Sequence, residues 1–284
     1  MTASDLRRER LWHALGAGPL WRARGANAVE PGGAPAAAAD APLPQTAAPA
    51  ITPAVAAVAP AAIETPVVNA ARPVAAEVVV DPARLAAIAG LDWPELQQAV
   101  ADCQACGLCR TRKQTVFGVG HPQANWMIVG EAPGAEEDAR GEPFVGQAGK
   151  LLDNMLAAVG LSRGAQGAAG VYIANVLKCR PPGNRNPEPH EMQQCEPFLR
   201  RQVELLQPRL IVVMGRFAAQ ALLGTDATIA SLRGRVHEVQ IAGRRIPVVV
   251  TYHPAYLLRN LADKAKSWAD LCLARRVANG DRDT

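Results

Sequence analysis

The stretch Trp126-Met127-Ile128-Val129-Gly130-Glu131-Ala132-Pro133-Gly134 decides the fold, with four large apolar residues in succession running into a turn rich in glycine and proline. A strand with one wet face alternates apolar and polar residues, so a short unbroken apolar run reads as a strand buried on both faces. The Gly-Pro turn that ends it reads as a functional loop. Residues 171–177, 210–214 and 246–251 repeat the pattern and lead into Cys179, Gly215 and Tyr252-His253-Pro254. Helical patterns fall between them: 147–159 with Leu151, Leu152, Met155 and Leu156, a helix opening at Asn186-Pro187, 217–223, and a last helix over roughly 263–276. Buried strands alternating with helices predict a three-layer α/β/α domain around a mainly parallel, four-stranded sheet. Ligands of such sheets bind beyond the carboxyl ends of the strands. The turns at Gly130, at 175–180 and at His253 all follow strands in this way.

Outward from this core the composition changes. Residues 31–80 are dominated by Ala, Pro and Val and contain no aromatic side chain. They read as a disordered tether, its apolar stretches too interrupted by proline to span a bilayer. Residues 4–16 pattern as a short amphipathic helix, with Leu6, Leu11, Trp12 and Leu15 on one side and a basic cluster at Arg7, Arg8 and Arg10. The start lacks the apolar core of a secretory signal. Asp92-Trp93-Pro94 opens a helix, with Asp92 as cap. The expected organisation is an appendage at 1–27, a linker at 28–80, a folded domain at 81–276 and a tail at 277–284. A formal charge of +4 suits an anionic partner without demanding one.

The six cysteines are Cys103, Cys106, Cys109, Cys179, Cys195 and Cys272. With no export signal they belong in a reducing compartment, expected to be the cytoplasm, where a metal site is favoured over disulfides. Cys103-x-x-Cys106 places two thiolates on one turn, and Cys179 and Cys195 offer two more. Four thiolates suit zinc or an iron-sulfur cluster. Cys109 is a substitute ligand, and Cys272 packs in the last helix.

Residues 130–138 match neither the dinucleotide nor the P-loop pattern, and Gly149-Lys150 is followed by Leu151 instead of Ser or Thr. A nucleoside-triphosphate site is therefore not expected. Asn175, at the end of its strand, presents a donor and an acceptor in one plane, which complements a pyrimidine edge. Lys178, Arg180 and Arg185 surround that loop with positive charge suited to phosphates. The segment His253-Pro254-Ala255-Tyr256-Leu257-Leu258-Arg259 sets an imidazole and then an apolar wedge at the rim of the sheet.

Taken together, Gly130-Glu131-Ala132-Pro133-Gly134, Phe144-Val145-Gly146, Asn175-x-x-Lys178-Cys179-Arg180-Pro181-Pro182, Cys195 and the 253–259 segment resemble the family 4 uracil-DNA glycosylases, from Cys103 to about residue 276. The resemblance implies an enzyme that flips uracil out of DNA and hydrolyses its glycosidic bond, leaving an abasic site and initiating base excision repair. It implies a 4Fe-4S cluster on Cys103, Cys106, Cys179 and Cys195, with Cys109 outside the ligand set. By the same resemblance Phe144 stacks on the flipped base, Asn175 reads its O4 and N3–H edge, and His253 stabilises charge on O2. Glu131 and Ala132 lie beside the sugar and the attacking water, Glu137 forms a wall against the thymine methyl, and Asn184 lies in the loop after the cluster cysteine. Leu257 fills the gap in the duplex, and Arg259 joins Lys178, Arg180 and Arg185 on the DNA. One difference from other uracil glycosylase families is Ala132, which stands where a water-activating Asp would be expected. Glu131 is then the candidate base, with a water held by backbone carbonyls as the alternative. A monomer is expected, and the N-terminal helix could recruit a repair or replication protein. Two rivals make different demands. A superfamily relative that traps uracil covalently would need a histidine in the 180–186 loop, which has none before His190, and a non-catalytic iron-sulfur DNA-binding module would not need Phe144, Asn175 and His253 together.

Overall fold

The computed structural model describes residues 80–280, so the expectations for 1–27 and for 28–80 up to residue 79, and half of that for the tail, lie outside the described residues. Six strands form one sheet: β1 (Val119–Gly120), β2 (Trp126–Gly130), β3 (Val171–Asn175), β4 (Leu210–Met214), β5 (Val236–Ile241) and β6 (Arg244–Thr251). Their order is β1-β3-β2-β4-β6-β5. The four inner strands are parallel and are the four expected from the apolar runs. The expected strand count is corrected by two antiparallel edges, β1 on β3 and β5 on β6. β5 escaped because its burial alternates, as an edge strand's must, and because β6 begins with exposed Arg244 and Arg245. Ala242 and Gly243, both at positive φ, close the β5–β6 hairpin.

The helices are α1 (Pro82–Gly90), α2 (Trp93–Ala101), α3 (Ala135–Arg140), α4 (Gln147–Ala158), α5 (Pro189–Leu206), α6 (Arg216–Leu223), α7 (Ile229–Leu232), α8 (Pro254–Arg259) and α9 (Lys264–Ala278). α2 starts where Asp92 predicts, with a capping box in which Asp92 accepts from the Glu95 N–H and Glu95 from the Asp92 N–H. α9 runs past the expected boundary at 276, and Val277 packs into the core. No described helix is long and apolar enough to cross a membrane.

Because successive strand residues face opposite ways, the apolar runs divide between two cores. Trp126 and Ile128 of β2 pack with Ile173, Val212 and Val249 against α4, α8 and α9. Met127 and Val129 pack with Ala174, Val213 and Val250 against α5 and α6. A third apolar cluster, from α1, α2, Phe117, Leu177 and Phe198, encloses Cys179 and Cys195. Ile128 has no solvent exposure and lies on the strand between β3 and β4. Ile128→Ala is expected to lower unfolding free energy by about 2–5 kcal/mol in denaturant titration; a change below about 1 kcal/mol would show that the central strand does not carry the core.

Candidate functional site

The carboxyl ends of β2, β3, β4 and β6 open into one cleft of about 800 Å³, lined by Glu131, Ala132, Glu137, Phe144, Asn175 and His253 and bordered by Asn184, Arg185, Arg216 and Arg259. The parallel sheet brings these residues together because each lies on or just beyond a strand end. Gly130 lets them converge: a Cβ there would stand 2.5 Å from both Asn175 Oδ1 and the Phe144 ring. Asn175 is 2% exposed, and its Oδ1 has no hydrogen-bond partner. A buried acceptor left unpaired costs about 1–3 kcal/mol, so this amide awaits a donor.

Phe144 sits at φ +55, a left-handed conformation that costs an aromatic residue about 1–3 kcal/mol. Its surroundings impose it. Arg163 donates to the Pro143 and Phe144 carbonyls at 2.9 and 3.0 Å and pairs with Asp153 at 2.8 Å. Glu137 accepts from the N–H groups of Val145, Gly146 and Gly134 at 2.9, 3.1 and 3.1 Å, joining this turn to the 130–134 loop. Gly149 completes the clamp, since a Cβ there would lie 1.7 Å from the Phe144 oxygen.

The Phe144 ring stacks on His253, with centroids 5.4 Å apart and planes at 28°. His253 caps α8, its Nδ1 accepting from the Ala255 N–H at 3.2 Å. Burial lowers its pKa to about 4, so the ring is neutral near pH 7. With Nδ1 an acceptor, its one hydrogen lies on Nε2. Burial raises Glu131 to about 7, opposed by the positive charge of Arg216. Gly215 and Arg216, between β4 and α6, were not singled out by sequence reasoning. Their signal was a glycine directly after a buried strand, here at φ +92 and close against His253.

Two expectations are corrected. Lys178 does not face a phosphate: it is 1% exposed, and its Nζ donates to the Asn175 carbonyl at 2.7 Å and to Gln202 Oε1 at 2.6 Å. Leu257 is not a wedge: it is 1% exposed on the core face of α8, while its neighbour Leu258 is 43% exposed. One residue turns a helix by about 100°, enough to exchange core for solvent. Arg180 donates to Asn184 Oδ1 at 2.7 Å, and Arg185 makes a two-pronged pair with Glu191. Arg259 is exposed.

Behind the cleft, Cys103, Cys106, Cys179 and Cys195 line a cavity walled by Val100, Leu108, Leu177 and Phe198, with Cys109 also at its border. All are free of disulfides. The Lys178 N–H donates to Cys195 Sγ and the Arg112 guanidinium to Cys179 Sγ, each at 3.2 Å, and Arg84 lies 3.9 Å from Cys103 Sγ. Burial pushes the Cys195 thiol up to about 12 and raises Cys106 and Cys179. Such buried sulfurs ionise when a metal replaces their protons, so the donor set fits a metal group. Among the described residues no three of these sulfurs lie within 4.8 Å of one another. One tetrahedral zinc ion, with bonds of about 2.3 Å, would hold them about 3.8 Å apart.

Fold and cleft define a three-layer α/β protein with a polar and aromatic cleft at the ends of its parallel strands. The chain belongs to the uracil DNA glycosylase superfamily, whose family model matches residues 117–272. It is 46% identical over 168 residues to a type-4 uracil-DNA glycosylase of Archaeoglobus fulgidus, covering 58% of this chain and 82% of the relative. It is similar to type-4 enzymes of Pyrobaculum aerophilum (40% over 187 residues, 64% and 93% covered) and Thermotoga maritima (40% over 172 residues, 60% and 85% covered).

The clamp on Phe144 has a direct consequence. Gly149→Ala forces the turn to move, and overpacking costs about 1–3 kcal/mol. The thermal midpoint should fall by several degrees, and an unchanged midpoint would show that the turn is not held there.

Proposed function

We propose that the chain excises uracil from DNA, hydrolysing the bond between the sugar C1′ and uracil N1 to leave an abasic site, the first step of base excision repair. The observation that carries this is the buried, unpaired amide oxygen of Asn175, set beside an aromatic face and an imidazole N–H. Uracil presents N3–H to that oxygen and O4 to the amide NH₂. Cytosine has an acceptor at N3 and a donor at C4, and a hydrogen-bond mismatch of this kind discriminates by about 10⁴ or more. The thymine methyl must be excluded by packing, a role for the wall at Glu137, whose carboxylate is fixed by three backbone donors.

Bond cleavage leaves positive charge on the sugar and negative charge on the departing base. Neutral His253 offers Nε2–H to uracil O2, and Glu131 orients or deprotonates the water beside Ala132. Flipping the nucleotide costs a few kcal/mol, offset by phosphate contacts from Arg180, Arg185, Arg216 and Arg259. Leu258, exposed beside the cleft, takes the duplex-filling role in place of Leu257. Asn184 supports the DNA-facing loop through Arg180.

Cys103, Cys106, Cys179 and Cys195 would hold a 4Fe-4S cluster. Hydrolysis transfers no electrons, so a bound cluster would serve as a cross-link joining the 103–106 segment, the loop carrying Cys179 and Cys195 of α5. A thiolate-held cluster fits a reducing cytoplasm. A monomer is proposed, and the segment at 4–16 remains the candidate contact for a repair protein.

Asn175→Ala and His253→Ala are each expected to lower uracil release from uracil-containing DNA by about 10²-fold or more while preserving the visible absorbance of the iron-loaded protein. Wild-type rates in both variants would refute the pocket assignment, and a wild-type protein releasing no uracil from single- or double-stranded DNA would refute the activity. The pH profile tests Glu131 separately. A base must be deprotonated, so excision should rise as pH passes through about 7 and then level off. His253, neutral above about 4, adds no inflection there. A flat profile between about pH 5 and 9 would remove Glu131 from the base role.

A further inference from the structure

We propose that Lys178 is a positioning residue, a buried strut that holds the Asn175 peptide in register with the cysteine cradle and thereby aims the base-reading amide. The inference rests on the assignment of Asn175 as the reader of uracil.

Lysine is almost never fully buried unless paired, yet Lys178 is 1% exposed and, among the described residues, forms no ion pair with a carboxylate. Its polar groups are all engaged inside the protein. Nζ donates to the Asn175 carbonyl at 2.7 Å and to Gln202 Oε1 at 2.6 Å. Gln202 is itself fixed, its Nε2 donating to the Phe117 carbonyl at 2.9 Å and to the Tyr172 hydroxyl at 3.3 Å. The Lys178 N–H donates to Cys195 Sγ at 3.2 Å, and its carbonyl accepts from the Val116 N–H at 2.8 Å. One residue thus touches the sulfur cradle with its peptide and the pocket strand with its side chain.

Asn175 is the last residue of β3, beside Gly130 of β2, and its amide oxygen makes no bond inside the protein. Packing limits the side-chain torsions of this 2% exposed residue, and the position from which the amide projects is set by its backbone, whose carbonyl Lys178 binds. An apolar side chain would fill the same space without the cost of burying an ammonium. A charge-assisted bond is the stronger restraint, and catalytic groups misplaced by about 1 Å can lose about 10²-fold in rate.

The test is Lys178→Met in the full-length, iron-loaded protein, read by single-turnover excision, inhibition by free uracil, affinity for uracil-free duplex, and iron content. The expected result is a rate about 10²-fold lower and weaker inhibition by uracil, with duplex affinity and iron unchanged. Adding Lys178→Met to Asn175→Ala should cost nothing more, because the strut acts through that amide. Excision and uracil inhibition within about twofold of wild type would overturn the proposal, as would additive losses in the double variant. If the Met variant does not accumulate, Lys178→Gln keeps a neutral N–H donor group and is judged by the same outcomes. Loss of fold or iron in both variants would make the residue merely structural and would also overturn it. A wild-type protein that releases no uracil would instead overturn the underlying function, and the unsubstituted control reports that separately.

Discussion

An amide oxygen buried at the end of a strand with nothing to accept from is a standing cost, and the organisation of the cleft follows from the need to maintain it. Asn175 stays unpaired because the groups around it are committed elsewhere: Lys178 to the Asn175 carbonyl and Gln202, Glu137 to three loop N–H groups, and His253 Nδ1 to its own helix. Gly130 contributes by lacking a side chain, which brings the amide and the Phe144 ring over one space. The site is therefore organised before a base arrives, as recognition by hydrogen-bond complementarity requires.

The strain this entails is distributed over rigid elements. Phe144 is held in a left-handed conformation by Arg163, Glu137 and Gly149, which come from three separate parts of the chain. Four parallel strands buried on both faces supply the stability against which such local costs are set. The third apolar cluster extends the same support to the cysteines and so to the loop between Asn175 and Cys179.

The four parallel strands and the position of the cleft were legible because continuous apolar runs admit few readings and strand-end turns mark ligand sites. The edges were not: β5 buries only alternate residues, and β1 is two residues long. Val176 and Leu177 extended the apparent third strand because they are apolar, yet they pack beside α5 and under the cysteines after the strand has ended. The identity of the pocket came from motifs in a fixed order, since Asn175 or His253 alone would read as a turn or a cap. Lys178 was misplaced because charge in a loop normally means solvent, and its burial depends on Gln202, 24 residues away. Leu257 and Leu258 are interchangeable in a sequence and opposite on a helix. Arg163 and Gly149 left no local signal, since they act on a conformation seen only in three dimensions.

The four cysteines Cys103, Cys106, Cys179 and Cys195 come together at one cavity although the first two lie far from the others in the sequence. Recognition of the base by Asn175, Phe144 and His253 can be seen directly in a crystal structure with uracil bound. The ring is expected to stack on Phe144, with N3–H on Asn175 Oδ1, O4 on the same amide, and O2 facing His253 Nε2. Uracil bound elsewhere, or held in this cleft without contact to Asn175, would contradict it.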